Sequence, residues 1–355
     1  MRRRGPHKIY DFWGVIATPP LHSTPYTLHS DMKQLAEILK PYLRLLRVGN
    51  LAFVAILLWT MEKWVATPLL RLAQFGEQMP WWVLLLLILG TVLIAAGGYV
   101  INDYFDVKID RINRPDDMVV TRHISRDGAM RLFQIFTAVG VVAGLAVAWW
   151  AKSWTLAMIY IVIPGLLWFY SASYKRQLLV GNIVVAFVSA LVPLLVAIAN
   201  ADYLRHLYGE ALQYTPITGH LYVWLGCFGL FAFLMTLARE IVKDIEDIQG
   251  DQEMECRTIP IVWGRKATLI IASMVLVLTA ALIAYIGFSA LPFAHDWHTL
   301  STRFVVFGVI VPILCAIVLL WAAKTPLEYR RAQLIIKFAM FMGVMYSFVI
   351  QQNMI

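Results

Sequence analysis

Charge is what this chain has least of. Only 15% of its 355 residues are charged and 60% are hydrophobic, at a mean hydropathy of +0.69. That balance lies outside the range of soluble domains and excludes a water-soluble globular protein. Cysteine is also scarce. Cys227, Cys256 and Cys315 share no paired or metal-ligand spacing, which excludes a disulfide framework or a zinc site and leaves free thiols in a reducing or lipidic setting. No Pro/Gly/Ser-rich linker interrupts residues 40–355, so they read as one membrane domain behind a polar arm at residues 1–39. The first 47 residues contain no apolar stretch resembling a signal peptide, which leaves the amino terminus expected in the cytoplasm.

What is present in abundance is apolar sequence. Runs long enough to cross about 30 Å of hydrocarbon, for which roughly 20 helical residues suffice, recur at 81–101, 132–151, 153–174, 178–201, 221–238, 267–294, 304–323 and 338–355. A shorter run, 48–61, extends through Trp64 and Val65 past Glu62 and Lys63, both expected at the interface. The fold expected is an all-α integral membrane protein of about nine transmembrane helices. Basic residues support one orientation. On the side of the amino terminus fall eight before the first span and then six, two, five and four in alternate loops; the other side holds two, one, one and one. The positive-inside rule therefore places the amino terminus in the cytoplasm and, with nine spans, the carboxyl terminus outside a cytoplasmic membrane. The net charge of +8 follows from that topology and from anionic lipid headgroups, without any need for nucleic acid.

Two carboxylate clusters stand out against this background. Asp103, Asp106 and Asp110 are separated by three and four residues, and Asp244, Asp247 and Asp251 repeat the spacing. In a helix such residues lie one turn apart on one face. Each cluster directly follows an apolar run, after spans two and six, in what reads as a loop on the cytoplasmic side. A carboxylate at the bilayer centre costs about 2.5–3.5 kcal/mol on insertion scales, so both triplets are expected in a wet, protein-lined cavity near the headgroups. Hard oxygen ligands suit Mg²⁺, which is usually held by few carboxylates and completes its shell with substrate phosphate. Lys108, Arg111, Arg114, Arg239, Lys243, Lys175 and Arg176 interleave with the acids. Carboxylates for Mg²⁺ beside cations for phosphate oxygens describe a diphosphate site. A solvated helix face with ordinary ion pairs explains either cluster alone, but not two with one spacing on one side. The shared spacing four spans apart also suggests two related halves around a central cavity.

On these residues the chain resembles the UbiA superfamily of intramembrane prenyltransferases. Asn102-Asp-Tyr-Phe-Asp-Val-Lys-Ile-Asp110 has the form NDxxDxxxD, and Lys243-Asp-Ile-Glu-Asp-Ile-Gln-Gly-Asp251 carries DxxD continuing to GD. The likeness extends to Arg47 and Asn50, Tyr170-Ser171, Lys175-Arg176, Gly181-Asn182 and Thr258-Ile-Pro260 with Gly264, and covers roughly residues 40–350. It implies a helical bundle around a central cavity open laterally to lipid, with Mg²⁺ ions bridging aspartates and a polyprenyl diphosphate. Asn102, Asp103, Asp106 and Asp110 would then serve one metal and Asp244, Asp247 and Asp251 the other. Lys175, Lys243, Arg114 and Arg239 would neutralise the leaving diphosphate, and Tyr170 and Tyr174 would shield the allylic cation. Asn50, with Arg47 nearby, would orient the acceptor or the first metal loop, although an Asn there also suits a helix cap. The chain departs from the family after Asn113-Arg114-Pro115, where a second Arg-Pro is missing; Arg122 is the expected substitute. The branch most similar in its motifs prenylates geranylgeranylglyceryl phosphate, an ether-lipid acceptor. Enzymes that alkylate an aromatic acid on the way to ubiquinone, menaquinone or tocopherol share much of the pattern. A cation-linked transporter and a non-catalytic membrane protein are the readings from other classes. Against the transporter stands the expectation that no lone charge sits mid-span.

Overall fold

The computed structural model describes residues 39–76, 79–290 and 299–354. The arm expected at 1–39 falls outside them except for its last residue, as do residues 291–294 of the expected seventh span and Ile355 at the end of the ninth. Among the described residues nine helices are long and apolar enough to cross a membrane, and no strand is formed: α1 Val48–Leu72, α2 Trp81–Asn113, α3 Arg126–Ala151, α4 Trp154–Ala172, α5 Val180–Tyr214, α6 Ile217–Glu246, α7 Gly264–Phe288, α8 Leu300–Ala322 and α9 Pro326–Asn353. The protein is a multi-pass helical membrane protein, as expected.

Local chemistry sets the helix ends. Ser125 and Ser153 cap α3 and α4 by accepting from the backbone N–H groups of Gly128 and Leu156 at 3.0 and 3.1 Å, each satisfying a donor that a helix start leaves orphaned. Pro115 follows α2 and ends it, since a proline lacks the N–H and constrains the residue before it.

Three boundaries differ from the hydropathy reading, and all three matter for the site. The 33 residues of α2 reach about 50 Å at 1.5 Å per residue, beyond the hydrocarbon thickness. Asp103, Asp106 and Asp110 therefore sit on its last turns and not in a loop. Asp244 likewise lies within α6, Asp247 ends it, and Asp251 is in the short helix Ile248–Glu253 that follows. A hydropathy window stops where carboxylates begin, but the hydrogen-bonded backbone does not. The ninth helix starts at Pro326, twelve residues before its apolar run, so Arg330, Gln333 and Lys337 are helical rather than loop residues.

Glu62 also departs from expectation. It is fully buried in a stretch of π-helix at Met61–Ala66, where Asn200 and Thr67 donate to its carboxylate at 2.7 and 3.3 Å. Those donors make burial tolerable for a carboxylate expected at the interface. Lys337, which the hydropathy reading leaves in a loop, likewise lies inside a span, α9.

Two apolar cores hold the bundle. One draws Leu58, Leu87, Leu156 and Val196 from α1, α2, α4 and α5; the other draws Ile241, Leu276, Ile313 and Ile336 from α6 to α9. Between them lies the principal cavity.

Candidate functional site at the acid-rich helix ends

The ends of α2 and α6 meet through two adjacent side chains, Asn113 and Arg114. Asn113, the last residue of α2, donates to the Asp247 carbonyl oxygen at 3.1 Å and accepts from the Gly250 N–H at 2.8 Å. The approach needs a glycine: a Cβ on residue 250 would lie 2.6 Å from the Asn113 amide. The two aspartate clusters, 134 residues apart in sequence, are thereby fastened face to face.

Each cluster is also tied to cations and amides. Asp103 accepts from Arg47 at 2.9 Å, and Asp106 accepts from Asn102 at 2.8 Å and pairs with Lys175. Asp247 accepts from Arg114 at 2.7 Å. Asn182 donates to Asp244 at 2.9 Å. Lys175 arrives on a tight turn, Tyr174–Arg176, that rests on Gly181. A Cβ there would fall 2.6 Å from the Lys175 backbone, so the Gly181-Asn182 pair seats one cation and anchors one acid. Asp110 and Asp251 have no ion pair or side-chain hydrogen bond among the described residues. Burial foremost, then Asp247, pushes the Asp251 carboxyl up to about 7; burial also raises Asp247, despite Lys243 and Arg114.

This donor set suits a hard divalent cation that needs further ligands. Among the described residues no three acidic side chains converge closely enough to cage an ion on their own. Asp110, Asp244 and Asp251 nevertheless keep oxygens free on facing helix ends. A small cation usually takes one or two carboxylates and completes its shell from substrate phosphates.

Two cavities open from this point. A smaller one of about 250 Å³ is lined by Arg44, Arg47, Asp103, Asp110, Arg114 and Asp117. The principal one, about 760 Å³, runs between the apolar cores. Its polar end presents Arg47, Asn50, Asn102, Arg114, Arg239 and Lys243, and its walls include Phe53, Leu57, Ile94, Ile163, Leu167 and Leu195. Arg47 and Arg114 line both. Tyr170 faces the principal cavity. Tyr174 does not line it; its ring stacks on Phe169 at 6.3 Å. Arg122 is exposed in a turn before α3 and lines neither cavity. An apolar chamber with a charged mouth accommodates a ligand with a hydrocarbon tail and an anionic head.

Comparison with known proteins decides the family. Residues 64–347 match the UbiA prenyltransferase family. The chain belongs to that family. It is 33% identical over 261 residues to the digeranylgeranylglyceryl phosphate synthase of Sulfolobus acidocaldarius, covering 71% of this chain and 81% of that protein. It is 35% identical over 207 residues to the enzyme of the same name from Ignicoccus hospitalis, spanning 56% of this chain and 62% of that protein, under two thirds of its length. In fold it is similar to a solved digeranylgeranylglyceryl phosphate synthase at a TM-score of 0.57 and 24% identity, covering 89% and 99% of the two chains. A UbiA homologue from Archaeoglobus fulgidus, solved with GPP and Mg²⁺, aligns at 0.53 and 17%, covering 88% and 99%.

Several residues of this UbiA-family site were not given roles by sequence reasoning. Asn113 and Asn182 are polar residues beside the motifs, and only their spatial partners reveal what they hold. Glu246 lies between Asp244 and Asp247 and gathers three donors, accepting from Arg114 at 3.3 Å, Arg330 at 3.0 Å and Gln333 at 2.8 Å.

Proposed function

We propose that this protein transfers a prenyl group from an isoprenyl diphosphate to the free hydroxyl of geranylgeranylglyceryl phosphate, forming digeranylgeranylglyceryl phosphate in the cytoplasmic membrane. The observation that carries the reading is the fastening of two acid-rich helix ends at the mouth of one apolar chamber. The relatives' names support the acceptor, and the Mg²⁺ in the Archaeoglobus homologue supports the metal. The excess of basic residues supports a cytoplasmic aspartate end. Residues 40–355 act as one membrane domain in this reading.

Asn102, Asp103, Asp106 and Asp110 would hold one Mg²⁺ and Asp244, Asp247 and Asp251 the other; when bound, the ions offset charge on the diphosphate. Ionisation of the allylic C–O bond moves negative charge onto the diphosphate and leaves a cation on the prenyl carbon. Lys175, Lys243 and Arg114 stabilise that leaving group more as the bond breaks, which is the condition for lowering the barrier. Arg239 lies farther along α6 and is engaged by Glu240, so its charge is partly spent. The Tyr170 ring faces the chamber in which the cation forms. The chamber walls hold the prenyl tail and exclude water, which would otherwise capture the cation. Attack by the acceptor oxygen forms the ether bond and releases a proton and diphosphate. Arg47 holds Asp103, and Asn50 faces the polar end where the acceptor approaches.

The test is acceptor choice. Purified protein is given labelled geranylgeranyl diphosphate, Mg²⁺ and either geranylgeranylglyceryl phosphate or a prenyl-accepting aromatic acid. Label entering only the glyceryl phosphate supports the reading; label entering only the aromatic acid overturns it.

A further inference from the structure

Just inside the aspartate ends, the principal cavity holds a lysine that the diphosphate reading leaves unused. Lys337 of α9 lines it together with Thr236, Arg239, Glu240 and Lys243 of α6. The register between these helices is set by Gln333, which donates to Glu246 at 2.8 Å. On antiparallel helices, Lys337, one turn further along α9, comes level with the Glu240–Lys243 turn of α6. Lys337 makes no ion pair or hydrogen bond among the described residues. Arg239, Arg47 and Lys243 surround it electrostatically, with Glu240 as the acidic neighbour, and Glu240 is already paired with Arg239.

A second observation points the same way. The Thr236 side chain is 2% exposed, and its hydroxyl has no hydrogen-bond partner. Helical threonines usually return such a hydroxyl to the carbonyl one turn back; this one does not, and its residue lines the chamber. A lysine inside a membrane span costs free energy unless it is used, and clustered like charges in a chamber of low dielectric add to that cost. An anion would offset both.

We infer that Lys337, with Thr236 and the Arg239–Glu240 pair, forms a seat for the anionic headgroup of the acceptor, a phosphate monoester lipid, separate from the diphosphate site. This rests on the proposed transfer to a glyceryl phosphate. Thr236 stands eight residues before Asp244, about 12 Å along the helix. That separation leaves room between the two phosphates for the reacting carbon and oxygen. Arg330 and Gln333, engaged by Glu246, set the register and do not contribute free donors.

The experiment compares geranylgeranylglyceryl phosphate with its dephosphorylated alcohol as acceptors, in wild type and in Lys337→Gln, Lys337→Arg and Thr236→Val. Losing one charged hydrogen bond is expected to lower kcat/KM for the phosphorylated acceptor about tenfold or more in Lys337→Gln. The alcohol's kcat/KM and the donor KM stay within about twofold, Lys337→Arg keeps the preference, and Thr236→Val loses part of it. An equal loss for both acceptors, or none, would overturn the headgroup seat while leaving the transfer reaction standing. If wild type transfers to neither lipid, the acceptor reading falls and the seat falls with it.

Discussion

Replacing Asn113 with alanine tests one of the two links between the aspartate ends and leaves the Arg114–Asp247 pair in place. The substitution removes two hydrogen bonds, to the Asp247 carbonyl and from the Gly250 N–H, and touches no carboxylate. At about 0.5–1.5 kcal/mol net for each bond, the bridge contributes about 1–3 kcal/mol to holding the clusters in register. If ion binding needs that register, the half-saturating Mg²⁺ concentration for prenyl transfer rises by about 5- to 150-fold, and saturating Mg²⁺ restores much of kcat. Gly250→Ala should move it in the same direction from the other side, since its Cβ displaces the Asn113 amide. The assay is initial transfer rate against Mg²⁺ concentration, with thermal unfolding in detergent as the control for folding. A folded Asn113→Ala enzyme with wild-type Mg²⁺ dependence would refute the idea that the bridge positions the metal ligands.

Asp251 makes the site pH-sensitive. Its carboxyl is raised to about 7 by burial and by Asp247, so the metal-free fold favours the protonated form. That stabilisation is present below the ordinary carboxylate range and is lost as pH rises through about 7. Because a metal ligand must shed its proton, apparent Mg²⁺ affinity should climb between pH 6 and 7 and level above it, and Asp251→Asn should flatten the rise. Glu62→Leu leaves the Asn200 and Thr67 donors without their carboxylate and should destabilise the bundle by about 1–3 kcal/mol, read as a lower unfolding temperature; Glu62→Gln should lose less. Arg122→Ala, at an exposed turn outside both cavities, should keep transfer within about twofold of wild type, and a larger loss would return Arg122 to the site.

How much of this was legible beforehand depends on the length scale of the signal. The nine spans follow from composition, because hydrocarbon demands about 20 apolar helical residues wherever the chain crosses. The aspartate clusters follow from spacing, because carboxylates one turn apart share a face. Helix ends were less legible. Hydropathy ends α2 at Ile101, whereas its backbone continues to Asn113, and it starts α9 at Phe338, whereas the helix begins at Pro326. Those extensions carry the site's charged residues. Partnerships between distant segments left no local trace: nothing near Asn113 in sequence indicates Gly250, and nothing near Glu62 indicates Asn200. Arg122 and Tyr174 lie near the motifs in sequence, but three-dimensional packing places neither in the principal cavity.

The central claim is that both aspartate ends act together on one diphosphate. The most direct measurement is transfer of label from geranylgeranyl diphosphate to geranylgeranylglyceryl phosphate by wild type, Asp106→Asn and Asp247→Asn, each with Mg²⁺ and with EDTA. The account predicts Mg²⁺-dependent ether formation by wild type, abolished by EDTA and reduced at least about a hundredfold in both variants, one from each helix end. Wild-type rates in either folded variant would contradict it.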